Sequence, residues 1–256
     1  MELYNNGIDL FTNSCERLSY NYISFCRNLC LNGLSQIIYT SHIAEPFKRD
    51  KIHRITGAEQ CFSELEYLYC STNTSQEILE GFSTISHLTE ISIQFPMYDR
   101  EDKYPGENNN SLIRSIYENC LKLQYLKLSI NNDDIAEFEK LFINCQYLDG
   151  LILNNSTREN FNWVDLFNSL TRSAPASLYK FKFIFNGDIL LSTFSSFFDN
   201  WKRNRKDSKP ILLKIFYRMD FTQNHKVLFN EYKNEGIIKT FSYDPAEFGF
   251  DEFEWN

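Results

Sequence analysis

Two stretches of this chain repeat one another. Ile116-Tyr117-Glu118-Asn119-Cys120 runs into Leu123-x-x-Leu126-x-Leu128, and Leu141-Phe142-Ile143-Asn144-Cys145 runs into Leu148-x-x-Leu151-x-Leu153. The two lines start 25 residues apart. A Leu-x-x-Leu-x-Leu line at that period is the mark of a leucine-rich repeat, in which each unit is a short strand followed by a helix. The fold class expected is therefore α/β: a leucine-rich-repeat solenoid of irregular repeats, with a curved parallel sheet and helices on the convex side.

Further lines fit the same template. They are Cys26-x-x-Leu29-x-Leu31, Leu65-x-x-Leu68-x-Cys70, Leu88-x-x-Ile91-x-Ile93, Leu178-x-x-Phe181-x-Phe183, Leu212-x-x-Ile215-x-Tyr217 and Ile238-x-x-Phe241-x-Tyr243. From Leu65 onward the first positions are 23, 35, 25, 30, 34 and 26 residues apart. Asn73 closes its line where such an asparagine can bond backbone groups at the turn. Strand side chains alternate between faces, so one set enters a core and the other faces outward. Successive parallel strands need crossovers, and helical stripes supply them. Ile135, Phe138, Leu141 and Phe142 follow the acids Asp133 and Asp134. Val164, Phe167 and Leu170 make a second stripe, Phe194, Phe197, Phe198 and Trp201 a third, and Val227, Leu228 and Tyr232 a fourth ahead of Gly236. Gly236 is placed to cap that last helix. Such stripes are read as core.

One domain is expected over 1–256, with 1–24 a cap or remnant, 25–243 the repeats and 244–256 an acidic, aromatic tail. Residues 32–60 are the least regular. Tyr98 to Ser111, with Pro105-Gly106 and three asparagines, reads as an exposed loop that accounts for the 35-residue spacing. The tail carries Phe248, Phe250, Phe253 and Trp255 among acids. It is expected to cover an open sheet edge or to act as a docking motif.

A net charge of −8 disfavours nonspecific nucleic-acid binding. No apolar run of about 18 residues spans a membrane, and the N-terminus lacks the basic and apolar regions of a secretory signal. Seven cysteines without framework spacing suit a reducing compartment, cytoplasmic with the nucleus as the alternative. Cys120 and Cys145 read as buried thiols rather than a disulfide or metal ligands.

No catalytic constellation is visible. The four histidines, His42, His53, His87 and His225, do not pair at ligand spacing, and no metalloprotease, nucleophile-elbow or phosphate-loop motif occurs. No enzyme, cofactor or metal is expected. The run Lys202-Arg203-Asn204-Arg205-Lys206 fits a nuclear import signal, a phosphate-binding patch or, more simply, a helix end whose dipole favours cations.

The outward strand positions carry the functional reading. They include Tyr67, Tyr69, Tyr125, Lys127, Lys180, Lys182, Lys214, Phe216 and Arg218. In a solenoid these line one concave surface. It presents tyrosines first, whose broad rings end in a polar tip, and then lysines in an otherwise acidic protein. The expected partner is a protein with an acidic segment.

The line Tyr22-Ile23-Ser24-Phe25-Cys26-Arg27-Asn28-Leu29-Cys30-Leu31, the Asn-Cys-x-x-Leu-x-x-Leu-x-Leu lines at 119 and 144, and Phe161 to Phe185 with Asn-Ser-Leu at 168–170 carry a resemblance. Over roughly residues 20–243 the chain resembles fungal F-box/leucine-rich-repeat-like proteins. That resemblance implies the substrate-recognition part of an SCF-type F-box ubiquitin ligase subunit, whose N-terminal F-box docks on the Skp1 adaptor. Here the first strand line begins near Cys26, so no F-box is expected ahead of it within these residues. A Skp1 contact is thus expected only through another docking surface or an F-box encoded upstream. The alternative is a repeat scaffold or binding protein unrelated to ubiquitin ligases.

Overall fold

A computed structural model describes residues 28–30, 65–71, 88–94, 109–155, 161–185, 187, 189–205, 209–217 and 222–244. Among the described residues there are eight strands, which alternate with helices from β3 onward: β1 (Asn28–Cys30), β2 (Tyr67–Ser71), β3 (Glu90–Gln94), α1 (Asn110–Asn119), β4 (Tyr125–Ile130), α2 (Ile135–Asn144), β5 (Gly150–Asn155), α3 (Trp163–Ser173), β6 (Lys180–Phe185), α4 (Leu191–Asn204), β7 (Ile211–Tyr217), α5 (Gln223–Asn234) and β8 (Ile238–Asp244). The strands form one sheet in chain order, and every neighbouring pair is parallel. The fold is α/β, a parallel sheet alternating with helices, as a solenoid requires.

Each strand line does two jobs. Its first leucine lies ahead of the strand and is buried, as at Leu65, Leu88, Leu123, Leu148 and Leu178. In the twin repeats this leucine closes the same turn: Leu123 donates to the Cys120 carbonyl at 3.1 Å and Leu148 to that of Cys145 at 3.2 Å. Leu178 does likewise to Pro175 at 3.1 Å. The later apolar positions then point to the helix side. Leu126, Leu151 and Phe181 pair in register there, as do Leu128, Leu153 and Phe183.

That side is one continuous core. It is mostly aliphatic between β3 and β5, where Phe138 and Phe142 of α2 are the buried rings, and largely aromatic beyond. Trp163 sits edge-on to Phe185 at 4.4 Å, Phe167 packs on Phe197 at 4.5 Å, and Phe181 meets Trp201 at 5.4 Å. Aromatic pairs of this kind add roughly 0.5–1.5 kcal/mol each beyond their burial.

The helices are tied to one another by polar contacts. Glu137 of α2 accepts from Arg114 at 2.9 Å and Tyr117 at 3.0 Å, both on α1, and from Lys140 at 2.8 Å. Burial alone would raise the Glu137 carboxyl, but these donors outweigh it and hold it near 2. Glu139 takes a two-pronged bond from Arg172 of α3 at 2.6 and 2.7 Å, which with Ser173 lowers it to about 2. Tyr232 of α5 donates to Asp199 of α4 at 2.8 Å.

Caps set the helix ends. Asn131 and Asp134 close a capping box on the short turn before α2, with Asn131 N–H donating to the Asp134 carboxylate at 2.8 Å. At the end of α5, Gly236 adopts φ +77°. Its N–H bonds Lys233 at 3.0 Å, and Ile237 N–H bonds Tyr232 at 2.9 Å, a Schellman ending that needs a residue without Cβ strain. This is the cap expected at Gly236.

Several expectations need correction. Helix α1 was not foreseen, and the loop expected to run to Ser111 stops sooner: Asn109 is buried and bonds Ser129 O at 3.2 Å and Asp134 at 3.1 Å. The stripes on α3 and α5 are displaced, because Val164 and Val227 are each 48% exposed and Trp163, Leu166 and Phe229 fill the core instead. The line at Leu212 is slipped by two residues, since Phe181 pairs with Leu213 rather than Ile215. A bulge-like irregularity at Ile211/Leu212 adjoins the slip. An even slip leaves Lys214, Ile215 and Phe216 on their expected faces, whereas Leu212 falls within the strand beside Lys180 and not in the buried turn that Leu178 fills. The segments 1–24 and 32–60, the tail beyond Asp244, Asn73 and Arg218 lie outside the described residues.

Candidate functional site

The strand positions facing away from the helices form rows through parallel register. The first row is Tyr67, Glu90, Tyr125, Gly150, Lys180, Leu212 and Thr240. The second is Tyr69, Ser92, Lys127, Ile152, Lys182, Lys214 and Ser242. A third holds Ser129, Asn154, Ile184, Phe216 and Asp244. Strands lie about 4.8 Å apart, so neighbours in a row touch the same ligand side chain or each other. All the expected face residues but Arg218, which is not described, are brought together here.

Lys180 is the best-defined member. Gly150 stands between it and Tyr125 and offers no side chain, so the lysine reaches across. Its Nζ donates to the Tyr125 hydroxyl at 2.9 Å and to Asp149 at 2.5 Å, and lies 4.9 Å from the centre of the Tyr125 ring. Tyr125 in turn donates to Asp149 at 3.1 Å. Burial opposes the charge on Lys180, but the bonds to Asp149 and Tyr125 prevail and raise its pKa. Lys180 is therefore held by the fold and is not a free steering charge. Asp149 escaped the sequence reading because it precedes the strand; its place directly before Gly150 was the available signal.

The face is not uniformly open. Tyr67 is 40% exposed and Thr240 and Ser242 are exposed at the two ends, with Tyr69, Tyr125, Lys214 and Phe216 half-buried. Its centre is closed: Lys182 is 4% exposed, Lys127 6%, Ile152 1% and Ile184 2%. The expectation that Lys127 and Lys182 are exposed is corrected accordingly. Ile152 and Ile184 are buried yet stand apart from the single core cluster, because they point the other way.

The basic run at the end of α4 is taken up by the fold. Lys202 pairs with Glu235 at 2.9 Å and Arg203 bonds Asn200 at 3.3 Å. The Arg205 guanidinium stacks on Trp201 at 4.4 Å and donates to the carbonyls of Ala174 and Pro175. Lys206 is not described. Cys120 and Cys145 are buried thiols outside any disulfide, and burial pushes both up to about 12. Among the described residues no group of three or more His, Cys, Asp or Glu could hold a metal ion, and no helix is long and apolar enough to cross a membrane.

No protein-family model matches the chain, and no curated protein matches it either.

Proposed function

We propose that this chain is a leucine-rich-repeat solenoid that binds a protein partner through the sheet face opposite its helices. One observation supports this above the rest. In-register parallel strands bring Tyr67, Tyr69, Tyr125, Lys127, Lys182, Lys214 and Phe216, from residues far apart in sequence, onto one surface. On the helix side, by contrast, Glu137, Glu139 and Asp199 are engaged in holding neighbouring helices together. Tyrosines supply large contact area, and Lys214, the lysine of the second row that is only half-buried, favours a partner segment rich in carboxylates. The resemblance to fungal F-box/leucine-rich-repeat-like proteins extends the reading to substrate recognition in an SCF-type ubiquitin ligase.

The test is quantitative capture of partners by the full chain and by a Tyr67→Ala/Lys214→Glu variant. Lys226→Glu on the exposed surface of α5 makes the same charge change as a control. Partners lost with the face variant and kept with the control support the reading; partners retained equally by both contradict it. Copurification of the Skp1 adaptor separates ligase membership from an unrelated binding role.

A further inference from the structure

A buried carboxyl and a buried amide meet where α1, β4 and the turn before α2 come together. Asp134 is fully buried and Asn109 is 4% exposed. Asn109 holds the N-cap position of α1, but its side chain makes no capping bond. Its Nδ2 donates instead to the Ser129 carbonyl of β4 at 3.2 Å and to Asp134 Oδ2 at 3.1 Å. The amide orientation follows, since the Ser129 carbonyl only accepts and a flipped amide would set oxygen against oxygen. Asp134 Oδ2 takes a second bond, from the Asn131 N–H at 2.8 Å. Both donors thus converge on one carboxyl oxygen. Among the described residues, the sister oxygens Asp134 Oδ1 and Asn109 Oδ1 are buried with no hydrogen-bond partner. Two such acceptors on one bonded pair need an explanation.

We propose that the pair holds one proton: Asp134 Oδ1–H donates to Asn109 Oδ1, and the neutral acid and amide form a latch that ties the start of α1 to β4 and to the turn before α2. A protonated acid matches the observed pattern, with a carbonyl oxygen that receives bonds and a hydroxyl that gives one. A carboxylate would bury its charge and leave both sister oxygens without a donor.

The surrounding charges agree. Burial pushes the Asp134 carboxyl up to about 6, against bonds from Asn131 and from the side chain and backbone of Asn109, and Asp133 adds to the rise. The other titratable groups on the packed elements are turned elsewhere. Arg114, Tyr117 and Lys140 bond Glu137, and Glu139 bonds Arg172. Glu118 lies at the far end of α1, and Tyr125 and Lys127 stand at outward positions of β4. A raised carboxyl stabilises the folded state in its protonated form, so the latch is closed at low pH and opens as pH rises through about 6.

Carbon-13 NMR of the Asp134 carboxyl in the full chain, with hydrogen exchange at Ile113, tests this. The Ile113 N–H bonds the Asn109 carbonyl at 2.8 Å and so reports on the start of α1. The Asp134 carboxyl is expected to titrate near 6 and the Asn109 side-chain N–H signals to shift with it. After correction for intrinsic rates, Ile113 is expected to exchange several-fold faster above that pH than below it. Asp134→Asn, whose amide can donate to Asn109 Oδ1 at any pH, is expected to abolish the difference. An Asp134 that titrates near the ordinary 3.8 overturns the proposal. So does equal Ile113 protection on both sides of the window. So does an Asp134 signal that shifts on adding calcium chloride at neutral pH, which would assign the two oxygens to a cation. The carboxyl titration is read in the native chain and stands even if the variant fails to fold.

Discussion

Lys180 leans over Gly150 to place its ammonium 2.9 Å from the Tyr125 hydroxyl, two strands away. The absent side chain at Gly150 makes this crossing possible, and Asp149 completes it. Gly150→Val puts a branched side chain into that gap. It is expected to lower stability in urea unfolding by about 1–3 kcal/mol, the usual cost of overpacking, whereas a substitution at exposed Leu121 stays within about 0.5 kcal/mol.

The aromatic half of the core carries a larger penalty. Phe181 is fully buried against Phe183, Phe197 and Trp201. Phe181→Ala is expected to cost about 3–5 kcal/mol by lost burial and a residual cavity. Chemical denaturation measures it.

Asp134 confers a pH dependence of unusual sign. Burial pushes its carboxyl up to about 6, against hydrogen bonds from Asn131 and Asn109 that lower it. A raised carboxyl favours the protonated folded state. Its contribution is full below the ordinary value of 3.8 and is lost as pH rises through about 6. Melting temperatures of the native chain and Asp134→Asn, compared across that window, should show the native chain losing ground as pH rises.

Glu137 acts in the opposite sense. Its carboxyl is held near 2 by Lys140, Arg114 and Tyr117 against its own burial. Its stabilising contribution is present above 4.5 and is lost as pH falls toward 2. The stability difference between the native chain and Glu137→Gln should narrow on acidification through that range.

The Glu139–Arg172 bridge is geometrically good, but Arg172 is 62% exposed. A double-mutant cycle with Glu139→Gln and Arg172→Met is expected to give about 0–1 kcal/mol.

Much of this architecture was legible in the chain. The Leu-x-x-Leu-x-Leu lines located the strands because one leucine serves the preceding turn and the next two the core. The faces of Lys214, Ile215 and Phe216 survived the two-residue slip, since strand period two is insensitive to an even shift, and only the leading Leu212 was displaced. Helix α1 was hidden by the polar residues that open it, Asn109-Asn110-Ser111. The displaced stripes at Val164 and Val227 arose because a helix's inward arc depends on its seating, which the local sequence does not set. The site residues were legible as a set, but their exposure was not. Lys127 and Lys182 are buried although they stand at outward strand positions, and period-two alternation assigns a face without setting exposure. The crossing of Lys180 to Tyr125 needed the register of three strands.

The most direct measurement is selection of a random peptide library on the full chain. Binding through the face opposite the described helices predicts enrichment of peptides that mix acids with aromatics, and loss of their binding in Tyr67→Ala/Lys214→Glu but not in Lys226→Glu. Peptides with no acidic bias, or binding equally well to all three proteins, would contradict it.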